Sequence, residues 1–209
     1  MVDAVILDWD GTLWDVLTFI VETYAEVMGK LGKKAWTRDE FREKFTHDWR
    51  EVLEEMGLEK HEDMLVRHWE KKIKDRPNTY PWVNDFVSEL EKRYKIAVVS
   101  SAPRKPLMKE LRRNDILKHM KIVLSADDVE NTKPDPEPLL YAAARMSAEP
   151  GKCVYIGDMT EDIIAAKRAG MKVIAVTWGI HNKNRLKAEK PDFIAETPRE
   201  ALDFIKGLP

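Results

Sequence analysis

The chain has 209 residues, room for one domain or a domain with a smaller insertion. Hydrophobic residues make up 44% and charged residues 34%, a balance that excludes a disordered tail or a low-complexity linker. Lys+Arg 35 against Asp+Glu 37 leaves a net charge of −2, so the composition carries no footprint for nucleic acid.

Cys153 is the only cysteine, which excludes an intramolecular disulfide and gives no sign of secretion. The apolar run Ala4–Leu7 stops at Asp8, far short of a signal peptide or a membrane span. The expectation is a cytoplasmic protein with no membrane partner. The sequence holds 22 Lys and 20 Glu but six Asn and no Gln. Lys/Glu enrichment with few thermolabile amides is a tendency of hyperthermophile proteins.

Short apolar runs rich in β-branched residues recur at Val2–Leu7, Lys95–Val99, Lys121–Leu124, Lys152–Ile156, Lys172–Val176 and Asp192–Ala195. Such runs suit strands buried on both faces of a sheet. Helical segments separate most of them. Thr197-Pro198-Arg199-Glu200 has the spacing of a capping box with proline at the first helical position, and Pro136 opens a helix over Glu137–Met146. This alternation predicts an α/β fold with a parallel sheet covered by helices.

Residues 14–80 break the rhythm. They hold four helical patterns, roughly Val16–Leu31, Arg38–Phe45, Trp49–Met56 and Glu62–Asp75, and no strand. Thr37-Arg38-Asp39-Glu40 and Asp48-Trp49-Arg50-Glu51 have capping-box spacing, and Gly57 suits a C-cap. The expected organisation is an α/β core of residues 1–13 and 81–209, with an all-helical insertion over 14–80.

Ligands of open parallel sheets sit beyond the carboxyl ends of the strands. The residues found there are Asp8-Trp9-Asp10-Gly11-Thr12 after the first run and Ser100-Ser101 after the second. Lys133-Pro134 follow the third and Gly157-Asp158 the fourth, with Asp162 four residues on. Each has a plainer use when taken alone. Asp158 or Thr160 could cap a helix, Asp162 could be a solvated first-turn acid, Ser100 could end a strand and Lys133 could be an exposed loop charge. Asp8 is different, because a carboxylate directly after Val5-Ile6-Leu7 is costly to desolvate without a partner or a metal.

Taken together and in order, Asp8-Trp9-Asp10-Gly11-Thr12, Ser100, Lys133-Pro134 and Gly157-Asp158-Met159-Thr160-Glu161-Asp162 resemble the four motifs of the haloacid dehalogenase superfamily, phosphatase branch, phosphoglycolate phosphatases included. The resemblance covers the whole core, and the insertion falls where that family carries its first type of helical cap. It implies a Rossmann-like parallel core and hydrolysis of a small phosphorylated metabolite through an aspartyl-phosphate on Asp8. Asp10 is implied as the acid and base that serves the leaving oxygen and then the water. Lys133 is implied to pair with Asp8 and the phosphoryl group, and Ser100 to bond a phosphoryl oxygen, with backbone N–H groups of Trp9 and Ser101 completing the cradle. Asp8, the Asp10 carbonyl and Asp158 are implied as metal ligands, with Asp162 behind them. A nucleophilic carboxylate and a phosphate ester repel by about 1 kcal/mol in water at 4 Å and about 4 at an effective dielectric of 20, so a cation is required. The family implies Mg²⁺. Ser101, where Asn or Gly is common, and Asn131-Thr132 before Lys133 depart from the usual pattern without removing a needed charge.

Asp10 disfavours a dehalogenase, which lacks the second acid. A phosphomutase would use the same motifs, and a phospho-receiver would lack both the insertion and work for Asp10. Within the insertion, the loop Thr46-His47-Asp48, flanked by Arg42 and Arg50, offers His47 and Arg50 as candidate substrate contacts. Trp9 is a candidate to line the entrance. Trp36, Trp49 and Trp69 read as core. A capped enzyme of this size is expected as a monomer.

Overall fold

A computed structural model describes residues 1–46, 48–73 and 79–209. Six parallel strands form one sheet: β1 (Ala4–Leu7), β2 (Lys95–Val99), β3 (Ile122–Leu124), β4 (Cys153–Gly157), β5 (Lys172–Val176) and β6 (Phe193–Ala195). Their order is β3-β2-β1-β4-β5-β6. Each lies within a residue or two of an apolar run, because runs apolar on both faces are stable only between two layers of helices. β1 is fully buried and pairs with β2 on one side and β4 on the other. The connection order reverses between β1 and β4, and in such sheets a crevice opens at that point beyond the strand ends.

The covering helices include α5 (Val83–Glu91), α6 (Arg104–Arg113), α7 (Glu137–Arg145), α8 (Thr160–Arg168), α9 (Lys183–Ala188) and α10 (Pro198–Gly207). Alternate residues of the central strands feed two apolar cores. Val5, Leu7, Val98 and Ile156 face one; Ala4, Ile6, Val99 and Tyr155 face the other. At the start of α10, Thr197 accepts from the Glu200 N–H, but the Glu200 carboxylate reaches back one residue further, to the Glu196 N–H.

Between β1 and α5 the described residues form only helices: α1 (Val16–Lys30), α2 (Arg38–Lys44), α3 (Trp49–Glu55) and α4 (Glu62–Ile73), with a short 3-10 turn before α4. The Thr37–Glu40 box forms in full. Asp48 caps α3 through the Arg50 N–H rather than through a reciprocal pair with Glu51. Gly57 ends that turn at φ +62, a conformation that favours glycine. Trp14 and Thr79 bridge antiparallel, and the Tyr80 N–H donates to the Leu13 carbonyl, so the chain leaves and re-enters the sheet layer side by side. Arg42 donates to the Thr177 carbonyl at 2.6 Å, and Arg185 donates to the carbonyls of Glu43 and Phe45 at 2.9 Å. These bonds dock the helical segment on the loop after β5. Among the described residues, no helix is long and apolar enough to cross a membrane.

Candidate active site

The strand ends beside the reversal point deliver their polar residues into one hollow. Asp8 leaves β1 with its backbone N–H bonded to the Ile156 carbonyl of β4. Its Oδ1 accepts from Lys133 Nζ at 2.6 Å. Lys133 also donates to Asp162 Oδ1 at 2.7 Å and to the Tyr155 hydroxyl at 2.9 Å. All four side chains are buried. Lys133 is therefore no exposed loop charge, and Asp162 no solvated first-turn acid. The two oxygens of Asp162 accept from four donors: Lys133, the Tyr155 hydroxyl, and the backbone N–H groups of Asp158 and Met159. That carboxylate fixes both the lysine and the loop that carries Asp158.

Asp158 does not cap α8. Its Oδ1 accepts from Thr12 Oγ1 at 2.9 Å and its Oδ2 from the Ile180 N–H at 2.6 Å. Gly11, at φ +84, passes so close that a Cβ there would collide with this carboxylate. Gly11 is thus required both by its backbone conformation and by the space that Asp158 occupies. On the opposite side, Ser100 Oγ donates to Asp10 Oδ2 at 3.1 Å and accepts from the Ala102 N–H at 3.0 Å.

Four acids and one lysine make the hollow electrostatically unbalanced. Burial pushes the Asp8 carboxyl well up; Lys133 opposes the shift, and Asp162, Asp158 and Asp10 add to it. Burial also raises Asp10 to about 6, against the pull of the Ser100 hydrogen bond. Burial and the neighbouring Asp162 raise Asp158 to about 8. Lys133 is held well above the ordinary lysine value, since Asp162 and Asp8 outweigh a burial effect that by itself would lower it. One oxygen each from Asp8, Asp158 and Asp162 lie within 4.8 Å of one another. A surplus of converging carboxylate oxygens fits a hard divalent cation, which is bound through oxygen.

The hollow opens into a cleft of about 250 Å³ whose floor includes Asp8, Asp10, Ser101 and Lys133. Its opposite wall comes from the helical segment and is apolar: Val16, Ile20, Phe45, Trp49 and Trp69. Trp36, Trp49 and Trp69 are all half-buried and packed against the apolar core, as expected, and Trp49 and Trp69 in addition line this cleft. Trp9 corrects an expectation. Its indole is buried in the apolar core and does not line the entrance, since an indole gains more from burial among apolar side chains than from a solvated rim. Arg50 is exposed and outside the cleft wall, and Arg42 is spent on the docking contact with Thr177. His47 lies outside the described residues.

Sequence reasoning missed three contributors. Tyr155 sits in the middle of a buried strand, and a phenol there needs a hydrogen-bond partner, which is the signal that could have found it. Thr12 stands in the first motif, but nothing local indicates that it grips Asp158. The Ile180 N–H carries no side-chain signal at all.

Residues 5–176 match the family described as haloacid dehalogenase-like hydrolase. A pyrophosphatase PpaX from Anoxybacillus flavithermus is 28% identical over 212 residues, covering 98% of this chain and 97% of that protein. A Thermotoga maritima protein provisionally named β-phosphoglucomutase superposes with a TM-score of 0.77 at 26% identity, covering 99% of this chain and 100% of its own. A predicted phosphoglycolate phosphatase from Haemophilus somnus gives a TM-score of 0.77 at 21% identity over 97% of both chains, a likeness of fold.

Proposed function

The chain belongs to the haloacid dehalogenase-like hydrolase family, and from that premise we propose that it is a Mg²⁺-dependent phosphatase of a small phosphate monoester. The observation that carries the reading is the buried Asp8–Lys133 pair at 2.6 Å, with Asp10 on the same cleft floor. Asp8 attacks phosphorus as its oxygen forms the new P–O bond and the ester P–O bond breaks, leaving an aspartyl-phosphate. Asp10, whose burial keeps a proton on it up to about pH 6, gives that proton to the leaving oxygen. It then recovers a proton from the water that cleaves the acyl phosphate. Lys133 holds Asp8 in line and faces the transferred oxygens, and Asp162 with Tyr155 keeps the lysine there. Backbone N–H groups of Trp9 and Ser101, with the Ser100 hydroxyl, supply the remaining donors to the phosphoryl group.

Asp8, Asp158 and the Asp10 carbonyl would hold the cation, with Asp162 supporting them from behind. When bound, it neutralises the carboxylates and the phosphoryl oxygens. Residues 14–80 act as a cap whose docking on the loop after β5 screens the cleft from water. A phosphomutase is the second reading, favoured by the 26% identity to the Thermotoga protein across the full length.

Phosphate release from an aryl phosphate with Mg²⁺ present tests the proposal. The wild-type chain should turn over and lose activity to a chelator. Asp8→Asn should lose at least about a thousandfold in turnover while keeping its circular dichroism. Undiminished release by that variant would remove Asp8 from the mechanism. A stable phosphorylated chain without turnover would favour a receiver, and phosphate moved within a sugar phosphate without release would favour the mutase.

A further inference from the structure

The helical wall of the cleft is also one side of a second pocket. That pocket, of about 230 Å³, is lined by the helical segment alone and opens to the surface beside the exposed Val66. Ile20, Phe45, Trp49 and Trp69 line both spaces, so one set of apolar side chains borders the acid hollow and the second pocket alike. Tyr24, Leu65 and Val66 complete this second pocket, whose lining among the described residues holds no charged side chain. Trp69 is held in place edge-on against Phe19 at 4.4 Å and Trp14 at 6.2 Å.

The charges point the same way. Among the described residues, Lys133 is the only basic side chain lining either space, and it is committed to Asp8, Asp162 and Tyr155. Glu161 adds a negative charge to the cleft. A second anionic group on the substrate, whether a carboxylate or another phosphoryl, would be desolvated against indoles with no further basic side chain among the described lining residues to meet it. An alkyl or aryl group would instead gain from every carbon buried.

We propose that the substrate is a phosphate monoester with an uncharged apolar leaving group, alkyl or aryl, that packs from the acid hollow onto the cleft wall formed by Val16, Ile20, Phe45, Trp49 and Trp69. This rests on the phosphatase reading above and names its substrate class. It also separates this chain from its pyrophosphatase relatives, whose substrate carries a second phosphoryl group.

The test is kcat/KM for phosphate release, with Mg²⁺, from ethyl, butyl and hexyl phosphate, beside phosphoglycolate and pyrophosphate. The leaving alcohols of the alkyl series differ little in basicity, so the series reads burial. The expected result is a rise of roughly threefold per methylene, mostly through KM, with hexyl phosphate above both acidic compounds. Non-hydrolysable alkylphosphonates, followed by tryptophan fluorescence, should tighten by the same factor per methylene. Trp49→Arg should weaken hexyl phosphate about tenfold and improve phosphoglycolate; where that variant does not fold, the wild-type series decides alone. A flat alkyl series, or a preference for phosphoglycolate or pyrophosphate with alkyl esters still cleaved, overturns the substrate class and leaves the phosphatase reading standing. Release of phosphate from none of them overturns both.

Discussion

The two walls of the cleft are built on opposite principles. On the sheet side, Asp8, Lys133, Tyr155 and Asp162 are locked by directed bonds of 2.6 to 2.9 Å among buried groups. On the helical side, the side chains of Ile20, Phe45, Trp49 and Trp69 meet the cleft as apolar surface, and the wall is held to the sheet layer through backbone carbonyls such as that of Phe45. A buried polar network has one satisfied geometry and tolerates little change, whereas an apolar wall accepts any well-filled shape. The first arrangement suits chemistry that must not vary. The second suits recognition that can.

Removing Lys133 should break the contrast most severely. Lys133→Met keeps the length of the side chain but strips from four acids the one basic side chain that the described residues supply to the hollow, and breaking a buried ion pair costs about 3–5 kcal/mol. Urea unfolding at neutral pH should show that loss. It should shrink as the pH falls, because the carboxyls already raised by burial then take up protons and the unpaired charge disappears. A loss of equal size at low pH would show that packing, not charge, was removed.

The seam between the two walls should be the next most sensitive, and it responds to pH. His181 is buried, with Nδ1 accepting from the Thr160 N–H at 3.0 Å and Nε2 donating to the Phe45 carbonyl at 3.1 Å. Burial first, and then the Arg185 charge, lower it from 6.5 to about 4. The unfolded chain therefore binds a proton that the folded chain refuses, so stability is full above about pH 6.5 and falls as the pH drops toward 4. The shift corresponds to about 3 kcal/mol at most. Between pH 7 and pH 4 the wild type should lose more stability than His181→Gln, by up to about this amount. Equal losses would remove His181 from the seam.

How legible each wall was in the sequence follows from the same contrast. The six strands could be read because both faces are buried and the apolar runs are nearly unbroken, as in Val154-Tyr155-Ile156. Asp8, Asp10, Lys133 and Asp158 could be read because each directly follows such a run or lies in the loop beyond it. Their partners could not. Thr12 meets Asp158 across 146 residues, and the Ile180 N–H meets it from a loop with no side-chain marker. On the helical side, the helices were visible in their periodicity, but the direction in which Trp49 and Trp69 face depends on how four helices dock. Tryptophan's apolar character serves a core and a cleft equally.

Tyr155→Phe should cost less than either change above. It deletes one hydroxyl that both Lys133 and Asp162 use and leaves the ring in place, a loss of about 1–3 kcal/mol for a buried hydrogen-bonding group left short of a partner. Because the lysine retains Asp8 and Asp162, turnover should fall by about tenfold rather than vanish. An unchanged Tm together with unchanged turnover would show that the phenol is incidental to the network. On the other side, Phe41→Leu tests packing alone. Phe41 is fully buried among Tyr24 and Trp36, each at 5.3 Å, and lies outside the cleft wall. The change should lower stability by about 1–2 kcal/mol and leave kcat alone.

Arg50→Ala should do least, and it sharpens the comparison by its silence. The sequence offers Arg50 as a substrate contact because it sits near a loop in the insertion, beside His47. Its side chain is exposed, however, with the guanidinium 5.9 Å from the Trp49 ring centre, and it is not part of the cleft lining. An exposed cation over an indole contributes about 0.5–1 kcal/mol. Unfolding should therefore shift within about that range, and KM for a monoanionic or dianionic ester should stay within about twofold of wild type. A KM that rose tenfold for acidic substrates alone would mean that the arginine swings into the cleft to meet a second negative charge, and the helical wall would then be a partner in charge recognition instead of an apolar one.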